Sequence, residues 1–363
     1  MSKHFKSSSN NLNTSPGTLT YVGKEVEYAT KITLIEYNET TEQTTIVKKL
    51  IDCLPDENTG QISWLNVDGI HEPTVIQHIG EHYELHPLLL EDVMNTQQKP
   101  KLEYFADSRP DQDVVFVTCK AMLYNPYSRS VDYEHVGLVL GEDWLISFQE
   151  ERERDIFESV TQRIKASAGK TRKNGADYLL FALLDVVIDG YFEVLEKLSE
   201  KLEDLEERVT QNISNRNQAD IYALKRELTL MRKAVMPMRE IISSLIRNET
   251  ESGLIRPTTL PYLRDTHDHI IQILDTIDSS RELIASLMDL HLSSINNRLS
   301  DVMRILTIIS VVFLPLNLIV GYYGMNFDAL PGIHGPDGHL WVLLGMLLVI
   351  SGMMFYFKRK NWL

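Results

Sequence analysis

The sequence predicts an α/β domain, then a long helical stalk, then two membrane-spanning helices close to the C-terminal end. Three observations support this fold class. Strand-like and helix-like runs alternate up to about residue 150, and helical spacing of apolar residues dominates after residue 176. Two uncharged apolar runs, 305–327 and 340–357, follow near the end. About 20 apolar residues are needed to cross the hydrocarbon core of a bilayer.

Composition limits the classes of function. The chain has 363 residues, enough for two or three domains, and a formal net charge of −15 at pH 7. This acidic balance argues against general nucleic-acid binding, which usually needs basic stripes, and it suits a protein that meets cations. Cys53 and Cys119 are far apart and form neither a disulfide framework nor a zinc-binding spacing, which favours a reducing cytosol.

The first two segments are a polar tail and a domain with a mixed sheet. Residues 1–19 are rich in Ser and Asn and predict a disordered tail without the apolar region of a signal peptide. Residues 20–170 form the α/β domain. Its predicted strands are KITLIEYN, ISWLNV, DVVFVTCKAMLY and HVGLVLGEDWLISFQ, and its predicted helices are EPTVIQHIGEHY and PLLLEDVMN. No phosphate-binding loop, nucleophile elbow or metal-ligand spacing of histidines is found, so an enzyme is not expected.

Residues 171–256 predict an antiparallel helical hairpin, with a polar turn at NISNRNQAD between its arms. Residues 257–304 predict a stalk helix that continues into the membrane. A single helix from about Pro261 to Gly324 is on the order of 100 Å long at 1.5 Å per residue. A helix of this length cannot bury its faces within one chain, so we expect coiled-coil-like packing against copies of the same chain.

Each apolar run alone is compatible with a buried core helix, but two in tandem favour transmembrane helices. We assign residues 305–326 to the first span, 327–339 to an external loop, 340–357 to the second span and 358–363 to a basic terminus. Basic residues flank the pair of spans, and the loop has no Lys or Arg. The flanking basic residues are Arg298, Arg304, Lys358, Arg359 and Lys360. Because positive charge stays on the cytoplasmic side, both termini are expected in the cytoplasm.

A stripe of mostly polar or small residues runs along the first span. Its members, together with Leu306 at its edge, are Asn296, Ser300, Met303, Thr307, Ser310, Leu314, Asn317 and Gly321. A polar amide such as Asn317 is costly against lipid, so the stripe faces either a water-filled pore or a neighbouring helix. One helix cannot enclose a pore, so the first alternative requires several copies around an axis. Rings of Met303, Leu306 and Leu314 would then form dewetting constrictions.

The first span ends in an unusual sequence, IVGYYGMNF. Gly324 is expected to end the helix because it tolerates left-handed backbone. Asn326 would then place one amide oxygen per subunit at the mouth of a pore. Such a neutral ring suits a hydrated ion, and Mg²⁺ gives up its water reluctantly.

YGMNF at the end of the first of two C-terminal spans is typical of the CorA family of magnesium transport proteins, which the chain resembles after about Gly17. HPLLLEDVMNTQQKPKLEYF, ADYLLFALLDVVIDGYF, VMRILTIISVVFLPLNLIVGYYGMNF and FKRKNWL also look like family blocks. The resemblance implies a funnel-shaped homopentameric channel in the inner (plasma) membrane, with Gly324, Met325 and Asn326 as the selectivity filter. In related zinc-transporting members the middle residue usually differs, so Met325 favours the magnesium branch.

The resemblance also implies regulatory metal sites between neighbouring cytoplasmic domains. It assigns Asp92 and Asp289 as the main pair of acids, and Glu91 and Asp265 as secondary positions. Leu314 and Asn317 depart from the methionine and threonine of some relatives. Both changes keep the apolar or polar character of the position, so the pore assignment is retained.

These observations lead to three hypotheses. The first is a passive gated channel that imports Mg²⁺, with Co²⁺ and Ni²⁺ as further ions, and that is closed by cytoplasmic Mg²⁺. A charge of +2 that crosses 100 mV gains about 4.6 kcal/mol, so no ATP is needed. The second is zinc transport coupled to another gradient. The third is a membrane-tethered helical scaffold or receptor, which needs neither the polar stripe nor Asn326.

Overall fold

A computed structural model describes most of the chain. The described residues are 15–24, 26–47, 60–109, 112–150, 155–211, 215–247, 253–325, 337–360 and 362. The predicted tail falls outside them up to residue 14, as do Cys53, Asn326 and most of the predicted external loop.

The N-terminal part contains a seven-stranded mixed sheet, as the sequence predicts. Its strands, in spatial order β2-β1-β3-β7-β6-β5-β4, include one parallel pair, β3 with β7, and are otherwise antiparallel. The strands are β1 (Lys31–Tyr37), β2 (Glu42–Val47), β3 (Ile62–Asp68), β4 (Lys101–Arg109), β5 (Gln112–Asn125), β6 (Ser130–Leu140) and β7 (Trp144–Gln149).

Two strands were not among those predicted, and both lie at an edge of the sheet. β2 reads EQTTIV and has no buried residue, while β4 pairs only with β5. Edge strands carry polar and charged residues that discourage further pairing, so their hydrophobic pattern is weak. The run HVGLVLGEDWLISFQ is not one strand but two, because Gly141 starts a tight turn in which its amide donates to the carbonyl of Trp144 at 2.9 Å.

Helices cover both faces of the sheet. α1 (Pro73–His82) and α2 (Pro87–Met94) pack on one face and share a buried apolar cluster with β1, β3, β5, β6 and β7. α3 (Glu158–Lys165) and a 3₁₀ turn (Thr171–Lys173) precede α4 (Ala176–Gln211). α4 approaches β5 closely, since the Tyr191 hydroxyl donates to the Lys120 carbonyl at 2.7 Å and a Cβ on Gly190 would lie 3.0 Å from the Met122 carbonyl oxygen.

Four long helices make up the rest of the described chain. They are α4 (Ala176–Gln211), α5 (Asn215–Arg247), α6 (Leu260–Tyr323) and α7 (Gly338–Arg359). α5 begins inside the polar segment that was predicted as a turn, since 215–220 is already helical. Asn217 is buried there and its amide donates to the Arg208 carbonyl at 3.3 Å. Asn and Asp residues often lie at the start of a helix, and here the polar segment contains the start of α5.

Contacts divide the chain into two compact units. One contains residues 1–206 and 219–284, and the other contains residues 207–218 and 285–363. In the first unit, Asp177 at the start of α4 accepts from the Arg256 amide at 3.0 Å and from the Thr259 hydroxyl at 2.5 Å. Arg232 of α5 and Asp278 of α6 form a bidentate ion pair, with a shortest distance of 2.8 Å. These contacts join the start of α4 to the segment just before α6, and α5 to α6.

The apolar parts of α6 and α7 are long enough to cross a membrane. In each, the most apolar 18-residue window has a mean hydropathy of 2.2, and 0% and 6% of the two windows are buried. A core helix of a soluble protein would be mostly buried, so exposure of both windows favours the predicted spans. α6 has 64 residues, which confirms a single helix from stalk to span.

Candidate functional site

The stripe predicted on the first span lies on the exposed surface of α6. Thr307 and Ser310 turn their hydroxyls back onto the helix and donate to the carbonyls of Met303 and Leu306, both at 2.8 Å. Side chains of this kind satisfy their polar atoms locally and still present a polar surface. Every predicted stripe member is exposed. These residues are Asn296, Ser300, Met303, Leu306, Thr307, Ser310, Leu314, Asn317 and Gly321.

The end of α6 differs from the expectation in one respect. The helix ends at Tyr323, and Gly324 follows as a turn, but Gly324 is not among the described glycines with a positive φ. Its amide still donates to the Val320 carbonyl at 2.9 Å, and a Cβ there would lie 3.0 Å from that oxygen. The prediction of a left-handed backbone at Gly324 is therefore wrong. Gly324 allows a tight last turn, and Met325 follows it in an exposed position.

Glu91 and Asp92 lie near the end of α2, within the first unit, and both already have a partner. Glu91 accepts a hydrogen bond from the backbone amide of Gly17 at 2.8 Å, so the described chain from Ser15 contacts α2. The Asp92 carboxylate lies 2.6 Å from the Lys101 ammonium, and the same ammonium lies 2.8 Å from Glu103. Lys101 is the residue here that sequence reasoning missed, although it lies in the block QQKPKLEYF.

A cavity of about 650 Å³ adjoins this ion pair. Its lining combines charged and apolar side chains from α2 and β4: Leu88, Glu91, Asp92, Lys101, Leu102, Glu103, Tyr104 and Phe105. Burial raises the pKa of Asp92, and the nearby Lys101 ammonium opposes this shift. Burial lowers the pKa of Lys101, but hydrogen bonds to Asp92 and Glu103 together outweigh burial, so the pKa of Lys101 is raised. An ion pair alone lowers the pKa of its acid. The ammonium at 2.6 Å favours the ionised form of the Asp92 carboxylate.

The acids on α6 are more exposed. The Asp265 side chain is 76% exposed and lies 3.9 Å from His269, one turn further along the helix. Sequence reasoning also missed Asp185 on α4, whose pKa is raised first by burial and then by Asp189, with a smaller contribution from Asp265. An acid within the apolar run LLDVVIDGYF is the signal that could have indicated it. Asp289 belongs to the second unit and is exposed.

The described residues of one chain bring together no group of three or more His, Cys, Asp and Glu side chains that could hold a metal ion. Asp92, Asp265 and Asp289 each offer hard carboxylate oxygens, the ligand type that Mg²⁺ prefers. Any Mg²⁺ at these positions would therefore be completed by water or by a second chain.

Comparison with known proteins agrees with this architecture. The chain is 38% identical over 353 residues to the cobalt/magnesium transport protein CorA of Thermotoga maritima, a match that covers 96% of each chain. It is 26% identical over 216 residues to the magnesium transport protein CorA of Escherichia coli, covering 58% of this chain and 67% of that protein. The solved structure of the CorA magnesium transporter from Methanocaldococcus jannaschii superposes with a TM-score of 0.76 at 20% identity, covering 93% and 100% of the two chains.

A model of the family described as CorA-like Mg²⁺ transporter protein matches residues 59–359. This range contains most of the sheet, all the long helices and both apolar segments. The matched family consists of transporters and not of enzymes, which confirms the class of function that the sequence predicts. The chain belongs to the family of CorA-like Mg²⁺ transporter proteins.

Proposed function

We propose that this protein is a passive, gated channel that imports Mg²⁺, with Co²⁺ and Ni²⁺ as further permeant ions. The observation that carries the proposal is the exposed polar stripe of α6. The stripe runs through the apolar part of the helix, and no residue in the most apolar window of α6 is buried. A lipid-facing helix needs no aligned Ser, Thr, Asn and Gly side chains. These residues therefore face water or protein in the assembled molecule.

The ion path requires several copies of the chain. One helix encloses no channel, and a ring of copies about a rotation axis brings equivalent stripes together. We take the copy number, five, from the family resemblance. Both termini then lie in the cytoplasm of the cell, and the segment between α6 and α7 lies outside the inner membrane.

Selection occurs at the mouth, where Gly324 and Met325 lead into Asn326. An amide oxygen from each subunit accepts hydrogen bonds from the water shell of Mg²⁺, whose hydration is costly to remove. Asn326→Ala should therefore reduce Mg²⁺ flux into liposomes to the background level, while the protein keeps its elution volume on size exclusion. Asn297→Ala is the matched control, because Asn297 is an exposed amide on the same helix before the membrane segment and lies off the stripe.

Flux at the level of the unmodified protein in the Asn326 variant would contradict the filter assignment. The same liposomes distinguish the alternative functions. Zinc transport predicts flux of Zn²⁺ that exceeds flux of Mg²⁺ and depends on a second gradient. A membrane-tethered scaffold predicts no flux of any divalent cation.

Cytoplasmic Mg²⁺ is also the proposed regulator. Bound between neighbouring subunits by the acids Asp92 and Asp289, with Glu91 and Asp265 nearby, it neutralises carboxylates that otherwise repel. The closed state is then favoured when the ion is abundant, and import stops without a separate sensor. The half-buried Asp92 carboxylate beside an open cavity supports this role.

A further inference from the structure

Lys101 is held so that its ammonium lies between two carboxylates. Its backbone amide donates to the Thr118 hydroxyl at 3.1 Å, and that hydroxyl donates to the Lys99 carbonyl at 3.1 Å. This fixes the start of β4. Side chains two residues apart on a strand share a face, so Lys101 and Glu103 lie side by side.

The ammonium of Lys101 is a cation that already contacts two carboxylates. It contacts Asp92 at 2.6 Å and Glu103 at 2.8 Å. The side chain of Lys101 is 27% exposed, that of Asp92 17% and that of Glu103 39%. A divalent cation that binds Asp92 Oδ2, or both oxygens of this carboxylate, must displace the ammonium from Oδ2. A cation that binds through its water shell must do so beside a fixed positive charge.

We propose that Lys101 is a tethered cation that competes with Mg²⁺ for Asp92 and thereby sets the cytoplasmic Mg²⁺ concentration at which the channel closes. This inference rests on the regulatory site under the proposed function. When Mg²⁺ binds, the ammonium keeps Glu103 as its partner, so displacement does not leave it unpaired. Because Lys101 is part of the chain, its ammonium is always present beside Asp92. Its competition raises the apparent dissociation constant of Mg²⁺ without changing the ligands of the ion.

The competing explanation is that Lys101 only fastens β4 to α2. The two explanations differ in their effect on Mg²⁺. A fastening residue, when removed, lowers thermal stability with or without Mg²⁺ and does not increase affinity for the ion. A competitor, when removed, leaves two carboxylates without a counter-ion, and the affinity for Mg²⁺ rises.

The experiment measures the Mg²⁺ concentration that half-protects the purified full-length protein in detergent against chymotrypsin, a protease that does not cleave at lysine. The Lys101→Met midpoint should be roughly two- to fivefold lower than that of the unmodified protein, the range that partly exposed ion pairs support. Lys101→Arg keeps the charge and should retain or raise the midpoint. Lys99→Met is the control, because Lys99 is exposed and its substitution removes the same charge two residues away.

An unchanged or higher midpoint in Lys101→Met overturns the proposal, as does an equal decrease in Lys99→Met. Lys101→Gln is a second neutral variant if the methionine variant does not elute as a folded oligomer. Asp92→Asn separates this inference from the site on which it rests. If Asp92→Asn raises the midpoint and Lys101→Met does not lower it, only the role of Lys101 fails. If Asp92→Asn leaves the midpoint unchanged, the regulatory site fails, and the role of Lys101 with it.

Discussion

At the scale of single residues, Asp68 shows how burial changes the chemistry of a side chain in the sheet. Asp68 is fully buried at the end of β3, where it accepts from the amides of Asn66 at 3.0 Å and Gln149 at 2.9 Å. Lys31 lies 3.4 Å away but is partly exposed. Burial, and then the charge of Asp155, raises the pKa of Asp68 from 3.8 to about 6.

This raised pKa predicts a loss of stability as the pH increases. Between about pH 4 and pH 6 the folded protein binds the Asp68 proton more tightly than the unfolded chain does, so unfolding becomes easier as pH rises through this window. Asp68→Asn removes the buried charge and should raise the melting temperature at pH 7.5. Because a tenfold change in proton affinity corresponds to about 1.4 kcal/mol, the gain is at most about 3 kcal/mol.

The gain should shrink towards zero below pH 4, where Asp68 is protonated in both states. Asp268→Asn is the control, since the Asp268 side chain is 82% exposed. Melting curves of the detergent-solubilised protein from pH 4 to pH 8 test this. A difference between Asp68→Asn and the unmodified protein that is the same at both ends of the range would contradict the argument.

At the scale of elements, α6 combines a buried stalk and an exposed span in one helix. Apolar residues of its first half, such as Ile270, Ile273 and Ile277, are fully buried, whereas those of the span are exposed. Pro315 is accommodated inside this helix.

The gate prediction belongs to this element. Met303→Ser and Leu314→Ser should each raise Mg²⁺ leak into liposomes under high Mg²⁺, because a polar ring hydrates a constriction that an apolar ring keeps dry. Ile305→Ser is a matched control, since Ile305 is 57% exposed and Met303 55%, but helical periodicity places Ile305 on the face opposite the stripe. Variants at Met303 and Leu314 that stay as closed as the unmodified protein would indicate packing residues and not gates.

At the scale of the whole molecule, the feedback that we propose for the transported ion depends on acids from distant parts of the chain. Two unit charges 4 Å apart interact by about 1 kcal/mol in water and about 4 kcal/mol at an effective dielectric of 20. Repeated around a ring, a few such sites are sufficient to favour a closed symmetric state. Asp92→Asn with Asp289→Asn should therefore shift Mg²⁺ inhibition of flux to higher concentration and weaken protection of α6 from proteolysis.

A second double variant, Asp92→Asn with Asp265→Asn, identifies the partner of Asp92. Asp265 lies in the same compact unit as Asp92, and Asp289 lies in the other. If only the Asp265 combination shifts the inhibition curve, the main pair includes Asp265 in place of Asp289. An inhibition curve that neither combination changes would exclude both pairs as the sensor.

Much of the fold could be predicted because its signals are local. The β-branched run of β5, the proline at the start of α1 and of α2, and the uninterrupted helical spacing of α6 each determine one element. The edge strands β2 and β4 could not be predicted in this way, since their polar residues resemble those of a loop. The start of α5 at Asn215 was missed for the same reason.

The sequence by itself determined the α/β domain, the long helix, the two apolar segments and the family, because periodicity, hydropathy and the motif YGMNF are properties of contiguous residues. Only the tertiary structure decided which groups meet across distant segments. It placed Lys101 of β4 against Asp92 of α2, the Gly17 amide against Glu91, and Asp185 of α4 near Asp265 of α6. Such neighbours follow from strand order and helix packing, and no local pattern in the chain encodes them.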